Sequence, residues 1–537
     1  MIKKLYLIIN LLIASWFISA QKTTNIANNL TIYNDVLRTL DINYVDTLDY
    51  NSLLTNSVDY MLRKIDPYTV YIPKSETDDL RFMTTGSYGG IGSIITQRKD
   101  GVYISEPYEG MPAQRAGLRA GDKILEIDKK STKGKTTAEV SDMLRGKPKS
   151  PITIKVERKG EKKPITFEFT REKIQINPVT YYEIVAPHTG YILFSEFTEN
   201  SAIEFKKAVE AMRKEQELES LIIDLRGNGG GLIGEAVQIV GYFVPKGTVV
   251  VSTKGRKQSS NYQYKTTLEP LYPNMRLAVL VNSASASASE IVAGSIQDLD
   301  RGILVGQRTF GKGLVQSVKP IADDGHLKVT TAKYYIPSGR CIQAIDYSHK
   351  NPDGSVGRVP DSLTHEFKTA KGRIVRDGGG VSPDIEIKED DNINICYYLL
   401  KDQMFFDYAN NYVQNHKDIS PANQFTLTDD DIADFEKFIL EQGFTYQTET
   451  SKALQEVIDL AKLEGVDSIA KTEFEALDAK LNPPVHEAIE RNKNEVKDFL
   501  GSEIVKRYYY VKGSTQYLMR NDKELHRAIQ ELTKQFE

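Results

Sequence analysis

The chain has 537 residues, 40% hydrophobic and 26% charged, ordinary values for a globular protein, and three or four domains are expected at roughly 100–200 residues each. A formal net charge of −4 excludes a generally basic nucleic-acid binder. Two cysteines, Cys341 and Cys396, exclude a disulfide scaffold or a Cys-type zinc site, and seven scattered histidines without paired spacing point to no metal centre and no cofactor.

Met1–Ala20 places Lys3 and Lys4 before an apolar stretch from Leu5 to Ile18, with Ile18-Ser19-Ala20 offering small residues for cleavage. This predicts a signal peptide, with an uncleaved anchor as the alternative. Its removal changes the charge to −6, 67 basic residues against 73 acidic. Export to the periplasm or outer envelope of a Gram-negative-type bacterium is expected. No later segment approaches the roughly 20 apolar residues of a spanning helix.

Residues 21–85 form a predicted helical region. Leu30, Tyr33, Val36 and Leu37, then Leu53, Val58, Met61 and Leu62, recur at helical spacing until Asp66-Pro67-Tyr68 breaks it. From 86 to 174 the texture is short strands and glycine turns. A β/α alternation fills 175–388, with an insert at about 346–380. Leu221–Leu225 and Leu277–Val281 there are continuous apolar runs, as expected of strands buried on both faces. Residues 389–537 are acidic, glycine-poor and helical.

In the second zone Gly89-Gly90-Ile91-Gly92 opens a strand, and its glycine backbones allow N–H groups to converge on an anion. Pro112-Ala113, Ala116-Gly117-Leu118 and Gly121-Asp122 follow, then Lys123–Ile127. In this order the residues resemble a PDZ domain, a module that binds a C-terminal peptide by strand addition and holds its carboxylate in the glycine loop.

The third zone carries candidate chemistry. After the strand ending at Val281, Ser283, Ser285, Ser287 and Ser289 alternate with alanines and lead into Glu290 and a predicted helix. A helix N-terminus supplies unpaired N–H groups suited to an oxyanion. The same residues also read as a capping box, Ser287 capping the helix and Glu290 reaching back. Lys312 stands between Gly311 and Gly313 after Phe310. A desolvated lysine can deprotonate a serine, although read alone Lys312 fits a surface lysine better. Gln316 falls four residues on, on the same face of a strand or a helix.

The serine repeat, the Phe310–Gln316 stretch and the preceding Asp224-Leu225-Arg226-Gly227-Asn228-Gly229-Gly230-Gly231 resemble the carboxyl-terminal processing (tail-specific) peptidases of family S41. The resemblance runs from about Tyr33 to Asp384 and implies a helical N-terminal region, a PDZ domain, a crotonase/ClpP-like β/β/α peptidase core and a helical C-terminal region. It makes Ser287 the nucleophile, Lys312 the base and Gln316 the third member of the relay. Only Ser287 matches both the glutamate spacing and the lysine 25 residues beyond it. It assigns oxyanion donors to the backbone of Ala288 and Gly230, and a regulatory link between PDZ and dyad to Arg145, which otherwise reads as a helix-end charge. A serine endopeptidase acting on unfolded or tail-exposed proteins with apolar C-termini is implied. Membrane contact would be peripheral at most, and a homodimer or an activating adaptor is compatible. A silent PDZ scaffold on the same fold is the alternative. A crotonase-type acyl-CoA enzyme would leave the PDZ module without a purpose.

Overall fold

The computed structural model describes residues 25–347, 357–388 and 393–534. The leader expected at Met1–Ala20 lies outside them. The smaller of two units holds the described residues up to Tyr71 together with Val318–Val329. A helix over 25–43 is followed by the helix Tyr50–Arg63, whose start is capped by Asp49, the carboxylate accepting from the Asn51 and Ser52 N–H groups. A hydroxyl bond of 2.7 Å between Tyr33 and Ser57 joins the two helices. The expected break follows: Asp66 accepts from the N–H groups of Tyr68 and Thr69 at 2.8 and 2.7 Å, which closes a turn around Pro67.

The larger unit, Ile72–Ser317 with the described residues from Thr330 onward, carries the rest. Its PDZ-like module is an antiparallel sheet running Ser93–Arg98, Gly101–Pro107, Lys123–Ile127, Pro151–Glu157, Ile165–Thr170 in spatial order. Val102, Ile104, Ile124, Ile152, Ile154 and Val156 alternate inward and bury against Val140 of the helix Thr137–Leu144. Ser87–Gly90 pairs with Glu172–Gln175 and closes the module at its stem.

The core sheet has six strands in the order Val179–Ala186, Thr189–Phe194, Ser220–Asp224, Arg276–Val281, Gly302–Gly306, Ile385–Glu386. The first pair is antiparallel and the others are parallel. The helices Ser201–Glu215, Ile233–Gly241 and Ala288–Asp298 cover one face. The other face is covered from the far end of the chain, where Leu525, Ala528 and Leu532 of the helix Lys523–Thr533 pack on Tyr191, Ile222, Ala278, Leu280 and Val305. That contact explains why both sides of the predicted strands are apolar. Leu525 is 2% exposed, so Leu525→Ala is expected to cost about 2–5 kcal/mol in a urea unfolding titration. A change under about 0.5 kcal/mol, the usual ceiling for a surface substitution, would show that this helix is not the cover.

The remaining helices, Ile395–Lys401 through Lys493–Met519, build a separate core around Phe405, Phe435, Ile489, Val496 and Ile504. Cys341 and Cys396 are both free thiols.

Candidate active site

The strand Arg276–Val281 ends at Asn282, and a turn of small residues carries the chain into the helix Ala288–Asp298. Three serines of the repeat have distinct environments. Ser285 is fully buried, its Oγ donating to Leu225 O at 2.8 Å and accepting from the Asn282 N–H at 3.0 Å. Ser289 is fully buried and donates to Asn228 O at 2.8 Å. Ser287 is half-buried and stands at φ 57°, ψ −112°, outside the regions open to a residue with a Cβ. Strain of this kind costs on the order of 1–3 kcal/mol and persists only where its surroundings over-determine it.

The glycine turn after Asp224 packs against this point. A Cβ on Gly230 (φ 101°) would sit 2.8 Å from both Ala288 N and Ser287 Cβ, so only glycine allows the approach. The turn is pinned by Asn228, whose Nδ2 donates to Phe194 O at 2.7 Å and whose Oδ1 accepts from the Gly230 N–H at 2.9 Å. The Gly230 N–H is thus engaged within its own turn. The Ala288 N–H is the first of its helix and has no intrahelical carbonyl to meet.

Glu290 joins the serine to the lysine. Its carboxylate is fully buried and accepts four bonds: Oε2 from the N–H groups of Ser287 (2.8 Å) and Lys312 (2.9 Å), Oε1 from Thr309 Oγ1 (2.6 Å) and the Gly311 N–H (2.8 Å). One carboxylate oxygen therefore holds the backbones of both candidate dyad residues. Burial raises the Glu290 carboxyl above its ordinary range, against the pull of the four donors. Lys312 itself is half-buried. Its loop is fixed further by Gln343, whose Oε1 accepts from the Gly313 N–H at 2.7 Å, and by Tyr334, whose backbone N–H donates to Gly313 O at 2.9 Å while its hydroxyl donates to Ser287 O at 3.1 Å.

Gln316, on the strand Leu314–Pro320, donates from Nε2 to Thr330 Oγ1 at 3.2 Å. Arg145 is far from a free helix-end charge: it pairs with Asp79 of the helix Thr77–Thr85 and lies 5.7 Å from the Tyr88 ring centroid. Of the glycine loop, Gly89 and Gly90 lie in the stem strand, Ile91 is 2% exposed, and Gly92 turns at φ 71°. A Cβ on Gly89 would meet Gly146 O, so glycine is required there too.

Comparison with known proteins adds sequence relationship to this geometry. The chain is 34% identical over 343 residues to a carboxy-terminal-processing protease of Bartonella bacilliformis, which covers 63% of this chain and 78% of that one. The model of peptidase family S41 matches residues 188–356. The chain belongs to peptidase family S41. A PDZ domain model matches residues 103–158 of this S41 peptidase, and a C-terminal helical domain described for probable PDZ-proteases matches 395–532. A probable CtpA-like serine protease of Staphylococcus aureus is 33% identical over 316 residues, 59% of this chain and 63% of that one. The solved photosystem II D1 C-terminal processing protease is 29% identical, covers 66% of this chain and 86% of its own, and superposes with a TM-score of 0.37.

Two polar residues of the site were not singled out from the sequence. Asn228 sat among four glycines as part of the turn motif, and its polarity in so tight a turn was the available signal. Glu290 was visible as a helix cap, but three of its four donors come from a loop about twenty residues away.

Proposed function

We propose that this S41 peptidase cleaves protein chains selected by their free C-termini, through a Ser287/Lys312 dyad. The observation that carries this is the convergence of the strained Ser287 and the Lys312 loop on the single carboxylate of Glu290. The PDZ module takes the tail by strand addition beyond the Gly89–Gly92 loop. Neutral Lys312 takes the proton of Ser287 Oγ as the oxygen attacks a peptide carbonyl carbon. The oxyanion rests on the Ala288 N–H and on a second donor from the glycine turn; the resemblance names Gly230, whose N–H would have to leave Asn228 Oδ1 to serve. The Lys312 ammonium protonates the departing amine, leaving an acyl-enzyme. Water then gives its proton to Lys312, attacks the ester, and Ser287 regains its hydrogen. Gln316 orients Lys312 in this scheme, and the Arg145–Asp79 pair relays PDZ occupancy through the helix Thr77–Thr85. The basic, then apolar start of the sequence supports export to the cell envelope. No described helix is long and apolar enough to cross a membrane.

The test is an unfolded reporter with an apolar tail, offered with a free carboxylate or amidated. The free form is expected to be cut at least about tenfold faster, the worth of one charge-assisted bond, with no effect of chelator. Equal rates would remove tail recognition, and no cleavage of either form would remove the peptidase reading.

A further inference from the structure

The PDZ strand Ser93–Arg98 is the terminal strand of its sheet and pairs on one side only, with Gly101–Pro107. Its free edge is where an added tail would pair. Arg98 and Gly101 flank a two-residue turn, so they form a hydrogen-bonded pair, and alternation makes Gln97↔Val102 and Ile95↔Ile104 non-bonded pairs. The partner strand agrees: Ile104 gives both its N–H and its C=O to the opposite side, to Asp122 O and from the Gly121 N–H. The N–H and C=O groups of Ile95 and Gln97 therefore face the free edge.

One of these groups is already taken. Gln403, at the start of the helix Met404–Asn415, shares its Nε2 between Gln97 O (3.4 Å) and Thr96 Oγ1 (3.5 Å). Among the described residues its Oε1 is buried without a partner, and the PDZ strand supplies the hydrogen bonds of this side-chain amide. The amide is held there by its own backbone, φ 58°, and by Asp407 one turn on, which pairs with Arg98 while Arg98 lies over the Phe406 ring.

Resting on the tail-recognition reading above, we infer that Gln403 caps the tail-binding edge and limits the tail read in strand form to about its last four residues, those opposite Ser93–Thr96. A tail added antiparallel has its carboxylate at the glycine loop before Ser93, so its upstream residues run toward Gln97. There the Gln403 amide occupies the acceptor that the next ladder bond needs. Upstream residues leave the sheet, and the helical domain thereby sets how much of a tail contributes to recognition.

The experiment measures affinity, by fluorescence anisotropy, for peptides of four, six, eight and ten residues that share one apolar C-terminal sequence with a free carboxylate. Full-length Ser287→Ala protein serves as background so that nothing is cut. Affinity is expected to level off at four residues. With Gln403→Gly added, which suits the left-handed backbone, the eight-residue peptide is expected to bind about fivefold tighter than the four-residue one, the worth of a recovered ladder bond. Gln403→Asn tolerates the same backbone, is one methylene too short to reach Gln97, and should behave alike. Affinity that keeps rising beyond four residues with Gln403 in place, or identical length profiles in all three proteins, overturns the cap. Binding at no length overturns tail recognition itself, and the cap with it.

Discussion

Ser287→Ala is expected to reduce cleavage of a tail-bearing reporter by on the order of 10⁶-fold while leaving the melting temperature unchanged, because alanine meets the same strain at this backbone position. Ser287→Gly should be equally inactive yet more stable, by about 1 kcal/mol, since glycine accepts φ 57°, ψ −112° without a Cβ clash. Loss of activity coupled to a gain in stability is the signature of a strained nucleophile, and no merely structural serine would give it. Ser285→Ala and Ser289→Ala should behave in the opposite way. Each removes a buried hydroxyl that satisfies backbone groups, at a cost of about 1–3 kcal/mol, and each keeps the nucleophile. Thermal melts and reporter cleavage on the four variants decide the matter. Cleavage surviving in Ser287→Ala, with loss at either neighbour, would move the nucleophile by two residues.

The second large effect is expected at Glu290. Glu290→Ala leaves four donors facing a void: the N–H groups of Ser287, Gly311 and Lys312 and the Thr309 hydroxyl. Orphaned buried donors cost about 1–3 kcal/mol each before relaxation, so an overall loss of about 3–5 kcal/mol is expected. Glu290→Gln keeps the volume but turns an amide N–H₂ either toward the Ser287 and Lys312 N–H groups together or toward Thr309 and the Gly311 N–H, so the lysine loop should drift in both cases and the serine turn with it in the first. A displacement near 1 Å lowers the rate about 10²-fold. Glu290 touches no substrate in this arrangement and acts as a positioning residue. Its effect should therefore fall on kcat, with KM for the tail reporter nearly unchanged, because the groups its carboxylate holds, at Ser287, Thr309, Gly311 and Lys312, all belong to the peptidase core. Wild-type kcat in Glu290→Gln would dissolve the idea that one carboxylate registers both halves of the dyad.

Much of the site was legible because its parts are local in sequence. A buried apolar strand, small residues and a helix start placed Ser287 at a turn, and the glycine run after Asp224 announced a close backbone approach. Arg145 follows the helix Thr137–Leu144 directly, but its partner, Asp79, lies 66 residues away and no spacing reveals it. The alternation of serines hid which one is strained, since Ser285, Ser287 and Ser289 differ in what surrounds them and hardly in what flanks them. Arg226 likewise looked like part of the glycine turn. In the fold its guanidinium bonds Asp224 and reaches Asp522 and Glu524 near the end of the chain.

The sequence by itself determined the order of the modules, the apolar strands of the core and the PDZ-like module, because each depends on periodicity or on glycine and proline at fixed offsets, whereas the pairing of Ser287 with Lys312 was implied only by the family resemblance. Only the tertiary structure decided which serine bears the strain, that Glu290 gathers both backbones onto one oxygen, that Lys523–Thr533 covers the second face of the peptidase sheet, and that Gln403 meets the PDZ edge. Those are contacts between segments tens to hundreds of residues apart. They arise from burying apolar faces and satisfying buried donors together, a condition on the folded chain as a whole that no local pattern records.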